Sequence, residues 1–362
     1  MKLHQLFNKV VIFLLFAAAT ASCGPDDDKE YEPVSPVHLD LATIPYQNLS
    51  DYKFYEGEMK NLEPAYKVLP YDLNSTLFTD YAHKKRFIWM PEGASATYNN
   101  DGKVLDFPTG TVLIKNFYYD NVQPANTTRI IETRLMIKKE TGWIFAEYVW
   151  NESQTEATLN MQGGFTDISW TQGTTTMSTS YRIPSETECF TCHKSSTTAI
   201  PIGPKPQNLN KNYTYADGSK NQLSKWIDEG YLDAAVPSNI TSTINWEDTS
   251  LPIDLRVRSY LDINCAHCHS EGAHCSYRMM RFAFSESADP RNLGVCVAPQ
   301  EYINESLRYI VAKKSTGRSA LHYRLNTTSE SERMPLLGRT IVHKEAVEMI
   351  KQWIDNMDAP CP

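Results

Sequence analysis

Apolar and polar positions alternate with a period of two over much of the first half of the chain. Ile131, Thr133, Leu135 and Ile137 interleave with Glu132, Arg134 and Met136, the pattern of a half-buried strand. Lys85 to Met90 (KRFIWM) reads as a strand stopped by Pro91. Thr111 to Tyr119 (TVLIKNFYY) and Trp143 to Trp150 (WIFAEYVW) read as two more, with Lys139 to Gly142 as a turn. From about residue 185 the pattern changes to short apolar periods between Pro- and Gly-rich loops. Leu223, Trp226 and Ile227 fall at helical spacing, and Leu255, Tyr260 and Leu261 predict a helix running into Asn264. Val347, Ile350, Trp353, Ile354 and Met357 mark one face of a helix over about 343–357, stopped at Ala359-Pro360.

The amino terminus has a different character. Lys2 and Lys9 precede an apolar run from Val10 to Ala19, too short to span a bilayer and of the length of a secretory signal core. Thr20-Ala21-Ser22 then leads into Cys23, and small residues before a Cys resemble the lipobox of bacterial lipoproteins. Cys23 is therefore the expected lipidation site, and acyl carbons worth roughly 0.8 kcal/mol each when buried would anchor the chain to a membrane. Asp26, Asp27 and Asp28 with Pro25, Pro33 and Pro36 make an acidic, extended tether. The acidic run resembles export signals of some outer-membrane lipoproteins, so periplasmic or surface-side outer-membrane residence is expected.

The expected organisation is a signal over 1–22, a lipidated tether over 23–37 and a β-rich domain over 38–184. A first haem-attachment segment follows over 185–250, then a cytochrome c-like domain over 251–360. As a class this is α+β and multidomain: an antiparallel β-sandwich or jelly-roll-like unit followed by mostly α-helical haem domains. Of 362 residues, 35 are Lys or Arg and 43 are Asp or Glu, giving a net charge of −8. That balance argues against a nucleic-acid partner, which needs a dense basic face.

The chemistry lies in one motif that occurs twice. Cys189-Phe190-Thr191-Cys192-His193 and Cys265-Ala266-His267-Cys268-His269 both read Cys-x-x-Cys-His, the signature of covalent c-type haem attachment. Composition alone leads to about 0.004 copies per chain. Two thiols three positions apart reach the two vinyl groups on one edge of the macrocycle. The next residue, His193 or His269, then stands at the iron as axial ligand. Two haem c groups are therefore expected. A four-thiolate zinc site from Cys189, Cys192, Cys265 and Cys268 is the alternative, but zinc does not require the repeated His.

Met334, followed by Pro335 and a C-terminal helix, is the expected second ligand of the His269 haem. Its soft thioether favours iron(II) and raises the potential. Met279, Met280 and Met349 read as core residues. The first motif has no such partner downstream. His83, Met90, Met161 and Met177 are candidates, and an open sixth position would make that haem reactive. An oxidising compartment permits a Cys275–Cys296 disulfide, leaving Cys361 without an evident partner.

The stretches Leu77 to Phe87 (LFTDYAHKKRF), Val149 to Glu152 (VWNE), Pro201 to Lys205 (PIGPK) and Tyr260 to His269 (YLDINCAHCH) together resemble a bacterial family of secreted c-type haem proteins. Segment 253–358 resembles a class I cytochrome c domain. In some members of the family a similar region accompanies a quinoprotein sugar-dehydrogenase propeller. The resemblance thus implies redox partner proteins, among them a sugar- or alcohol-oxidising quinoprotein dehydrogenase. The leading expectation is a dihaem electron-transfer lipoprotein. A dihaem peroxidase-like oxidoreductase, or a surface binding protein for a glycan or a partner with accessory haem, are the alternatives.

Overall fold

The computed structural model describes residues 33–362. The signal, Cys23 and most of the acidic tether lie outside the described residues. Pro36 to Pro362 forms one compact unit. Its frame is an eight-stranded antiparallel sheet. The strands are β1 (Leu69–Tyr71), β2 (His83–Trp89), β3 (Val112–Val122), β4 (Thr127–Lys139), β5 (Gly142–Trp150), β6 (Ala157–Leu159), β7 (Gly164–Gln172) and β8 (Thr175–Ile183). They lie in the order β8-β7-β3-β4-β5-β6. The first part of β3 also pairs with β2, and β2 with β1. β3 meets β7 only where Val122 faces Trp170.

The alternation of β3, β4 and β5 assigns the two faces of the sheet. Val112, Ile114, Leu135, Ile137, Ala146, Tyr148 and Trp150 point to one side, where residues from Ile44 to Val68 cover them as an apolar cluster. Leu113, Met136 and Phe145, in register across β3, β4 and β5, point to the other side. There they pack with Leu209, Leu223, Trp226 and Ile263 from the second half of the chain.

Helices are short: α1 (Glu186–Cys192), α2 (Pro206–Leu209), α3 (Gln222–Asp228), α4 (Ile253–Leu261), α5 (Ala320–Asn326) and α6 (Lys344–Asp355). α6 buries Ala346, Met349, Ile350, Trp353 and Ile354 against Val257, Tyr260 and Leu261 of α4 and Leu321 and Leu325 of α5. No helix among the described residues is long and apolar enough to cross a membrane.

This architecture corrects the expected class. The structure is mostly β, with 27% strand and 18% helix. The first half is one sheet covered on both faces by coil and short helices, not two sheets packed as a sandwich or jelly roll. The second half is not a mostly helical cytochrome-like domain. Between His269 and His343 only α5 is α-helical. The rest is loop held by turns and side-chain hydrogen bonds, because its apolar residues come in short groups broken by Pro, Gly and Ser rather than in sustained helical periods.

Candidate haem-attachment sites

The first motif sits at the end of α1. Ser185 caps that helix through the backbone three residues on, and Glu188 reaches back to the Ser185 N–H at 3.0 Å. Cys189 and Cys192, three positions apart, share a face of the helix. His193 follows as C-cap, its N–H donating to the Cys189 carbonyl at 2.9 Å. The chain then reverses through a short ladder, Lys194–Ser195 against Thr198–Ala199. This returns the Ile200 carbonyl to the His193 ring, where Nδ1–H donates to it at 3.1 Å.

The second motif continues α4. Asp262 to Ala266 form a π-turn whose buried Asp262 carboxylate accepts from Lys205 Nζ at 3.2 Å, Gln207 Nε2 at 3.2 Å and the Phe284 N–H at 3.0 Å. Asn264 Oδ1 accepts from the Phe78 N–H at 2.8 Å, tying the motif to the loop before β2. The His269 N–H donates to the Cys265 carbonyl at 2.9 Å, repeating the local geometry of the first motif. Phe282 stands edge-on to the His269 ring at 5.2 Å. His269 Nδ1, unlike that of His193, is buried without a hydrogen-bond partner.

Each motif opens onto its own cavity. Cys189, Cys192 and His193 line the first, whose empty space, open mouth included, is about 1200 Å³. Cys265, Cys268, His269 and Met334 line the second, of about 1230 Å³. The two adjoin: Cys192, Asn264, His267, Pro335 and Leu337 belong to both walls. The ligating atoms of Cys192, His267 and Cys268 all lie within 4.8 Å of one another.

The walls suit an apolar ring with acidic substituents. Phe282, Ile310, Leu321 and Leu325 make the second cavity apolar, with Arg278 and Arg324 among its lining residues. The first has Leu113, Met136 and Phe145 beside Lys115, Arg134 and Arg182. Three basic side chains gather round the buried Phe117 ring of β3: Arg134 at 4.2 Å, Lys115 at 4.8 Å and Lys84 at 6.0 Å. Burial and the neighbouring guanidinium groups of Arg86 and Arg134 push Lys84 down to about 7 and hold Lys115 well below the usual lysine range.

Two carboxyl groups share this floor. Burial and the adjoining Glu132 raise Glu147 to about 11. Burial opposes ionisation of Glu132 as well, but Arg134 and hydrogen bonds from Glu147, Arg134 and Tyr181 hold it below the ordinary carboxylate range. Glu147 Oε2 lies 3.8 Å from Cys189 Sγ. Burial lowers His193 to about 3 and His269 to about 4, so both rings are neutral near pH 7, the form with a lone pair for a metal. Burial also raises Cys189 and Cys265 to about 12. Cys192 is lowered by a hydrogen bond from Cys268, whose thiol is correspondingly raised.

Met334 lies in the second cavity with His269. Its loop is held by Arg339, which is 3% exposed. That guanidinium donates to the Met334 carbonyl at 2.9 Å and to the carbonyls of Arg324, Thr327 and Ile341. Asp80 fixes the next residues, accepting from the Thr340 N–H at 2.7 Å and the Ile341 N–H at 3.1 Å.

The expected Cys275–Cys296 disulfide is not formed. Cys296 pairs instead with Cys361 across a separation of 65 residues, and Cys275 is free. The C-terminal tail lies along residues 311–313, with the Lys313 N–H 3.3 Å from Cys361 Sγ. The Cys296 N–H donates to the Val311 carbonyl, so the two cysteines meet over Val311. Cys275 is turned toward the second cavity, its N–H donating to the Cys268 carbonyl at 3.0 Å.

The four candidate partners for the first motif do not line its cavity. Met90 and Met161 pack in the core below it, and Met177 packs against the cluster that contains Trp170 and Tyr181. His83 is exposed, 3.8 Å from Asp120. Of the residues the sequence alone does not single out, Arg134 and Glu147 line the first cavity, with Glu132 beside them, while Asp262 and Arg339 brace the second motif and the Met334 loop. The sequence signal for Glu132, Arg134 and Glu147 is three charged residues on the same face of β4 and β5 as Met136 and Phe145. No family model matches the chain, and no curated protein or solved structure matches it either.

Proposed function

We propose that the chain is a dihaem c-type cytochrome that passes electrons, exported and held at a membrane through Cys23. The observation that carries this reading is the pairing of each Cys-x-x-Cys-His with an adjoining cavity, the second of which is also lined by Met334. Bound haem supplies one-electron iron chemistry. Cys189 and Cys192, and Cys265 and Cys268, are the thioether donors. The neutral His193 ring, with Nδ1–H committed to Ile200, leaves Nε2 for iron. His269 and Met334 serve the second site. Arg134 and Arg182 on one side, and Arg278 and Arg324 on the other, offer cations for the porphyrin carboxylates. The net charge of −8 suits a basic docking patch on the redox partner, with an on-rate that falls as salt rises. A quinoprotein dehydrogenase is the partner class implied by the family resemblance.

A second reading has its own observation. Cys192, His267 and Cys268 hold three ligand atoms within 4.8 Å, a beginning for a zinc or iron centre. The two readings exclude each other, because a cysteine sulfur in a thioether is not a thiolate ligand.

The deciding experiment is production in cells competent for cytochrome maturation, followed by pyridine haemochrome quantitation, intact mass and metal analysis. Two haems per chain and no alkylatable thiol at the four motif cysteines are expected. Colourless protein with those thiols free, or stoichiometric zinc, overturns the reading. Cys23→Ser should move the protein from the membrane pellet to the supernatant, and retention in the pellet would place the anchor elsewhere.

A further inference from the structure

The first motif supplies one imidazole, His193, and no Met-Pro follows it within the next 70 residues. Two side chains outside the motif bring a soft donor atom to its cavity, Met136 and His267. Met136 packs in the apolar cluster and faces Leu113 and Phe145 across the sheet. Its thioether makes no polar demand that this packing leaves unmet.

His267 differs on each point. It lies inside the second motif, between Cys265 and Cys268. His267 itself keeps helical backbone angles, φ −61° and ψ −26°. His267 lines both cavities and stands where they adjoin. There its ligating atom lies within 4.8 Å of Cys192 Sγ from the first motif and of Cys268 Sγ from its own. Its Nδ1 is buried without a hydrogen-bond partner, a state that is costly for an imidazole and that coordination or a nearby donor would relieve.

We propose that His267 is the second axial ligand of the first haem, so that the two motifs are interlocked: the first haem takes His193 from its own motif and His267 from the other. The inference rests on the dihaem reading. It makes the first site bis-imidazole and the second His–Met, and a methionine ligand raises the potential relative to a second imidazole. The haem between His193 and His267 is then the lower-potential one.

The test is electron paramagnetic resonance and near-infrared absorption of the full oxidised chain, with pyridine haemochrome as the haem count. The unmutated protein should show two low-spin ferric signals and one sulfur-to-iron charge-transfer band. His267→Ala should convert one of the two haems to high spin and leave that band intact. Added imidazole should restore the low-spin signal. Met136→Leu should change neither. Two low-spin haems persisting in His267→Ala, or conversion by Met136→Leu instead, overturns the assignment. Should His267→Ala fail to mature, His267→Met decides: a second charge-transfer band supports the assignment, and a single band overturns it. Absence of haem from the unmutated protein overturns the dihaem reading itself, whereas the variant outcomes bear on the ligand alone.

Discussion

The Nδ1–H of His193 is bonded to the carbonyl of Ile200, seven residues on, at 3.1 Å. A two-strand reversal and the proline after Ile200 set that carbonyl in place. The bond selects the tautomer whose free nitrogen is Nε2. Under the dihaem reading His193→Ala should keep two haems per chain, since both thioether cysteines remain, while one haem loses its low-spin spectrum. Unchanged spin state in that variant would remove His193 from the iron.

Met334 depends on Arg339 as much as on its own sulfur. Met334→Ala should lower the midpoint potential of one haem and abolish the sulfur-to-iron band. Arg339→Ala strips the donor from four carbonyls, and a buried acceptor left unmade costs about 1–3 kcal/mol. It should therefore weaken the same band and lower chemical stability together. A redox titration indifferent to both substitutions would refute the role given to this loop.

The disulfide closes a loop of 65 residues. By the chain-entropy relation, its removal from the unfolded state's constraints costs about 4 kcal/mol. Cys361→Ser should lower the denaturation midpoint accordingly, whereas Cys275→Ser should not act through loss of a cross-link. An unchanged midpoint in Cys361→Ser would show that the bond does not form in solution.

Glu147 gives stability a pH dependence of unusual sign for a carboxyl group. Burial and Glu132 raise it from the usual 4.5 to about 11, so the folded chain holds a proton that the unfolded chain releases. Its contribution is full below about 4.5 and declines as pH rises toward 11. Glu132, held low, works in the opposite direction and is lost as pH falls through its lowered value. Glu147→Gln should flatten the fall in Tm between about pH 5 and pH 9, with little change at the acid end. A slope equal to that of the parent would place the proton elsewhere.

The strands were legible because their alternation survives in the sequence. β2, β3, β4 and β5 lie within a few residues of the predicted segments, and α3, α4 and α6 follow the apolar spacing of Leu223, Leu255 and Val347. The architecture was not. Met136 and Leu135 are both buried, on opposite faces, and nothing local in the strand says whether a second sheet or a layer of loops covers each face. The second half misled because helix, motif, Met and helix occur in cytochrome-like order while the intervening stretch has too little apolar period to be helical. The pairing of Cys361 was hidden because the tail that carries it is placed by contacts with Val311 and Lys313, which no spacing rule encodes. Arg339 was overlooked for a similar reason, since its four acceptors are backbone atoms spread over loops.

Because Cys192, Asn264 and His267 each belong to two walls at once, the sites are not separable modules. Neither half could be trimmed away to leave the other's wall whole. Clean dissection must work from the outer residues, Cys189 and His193 on one side and His269 and Met334 on the other.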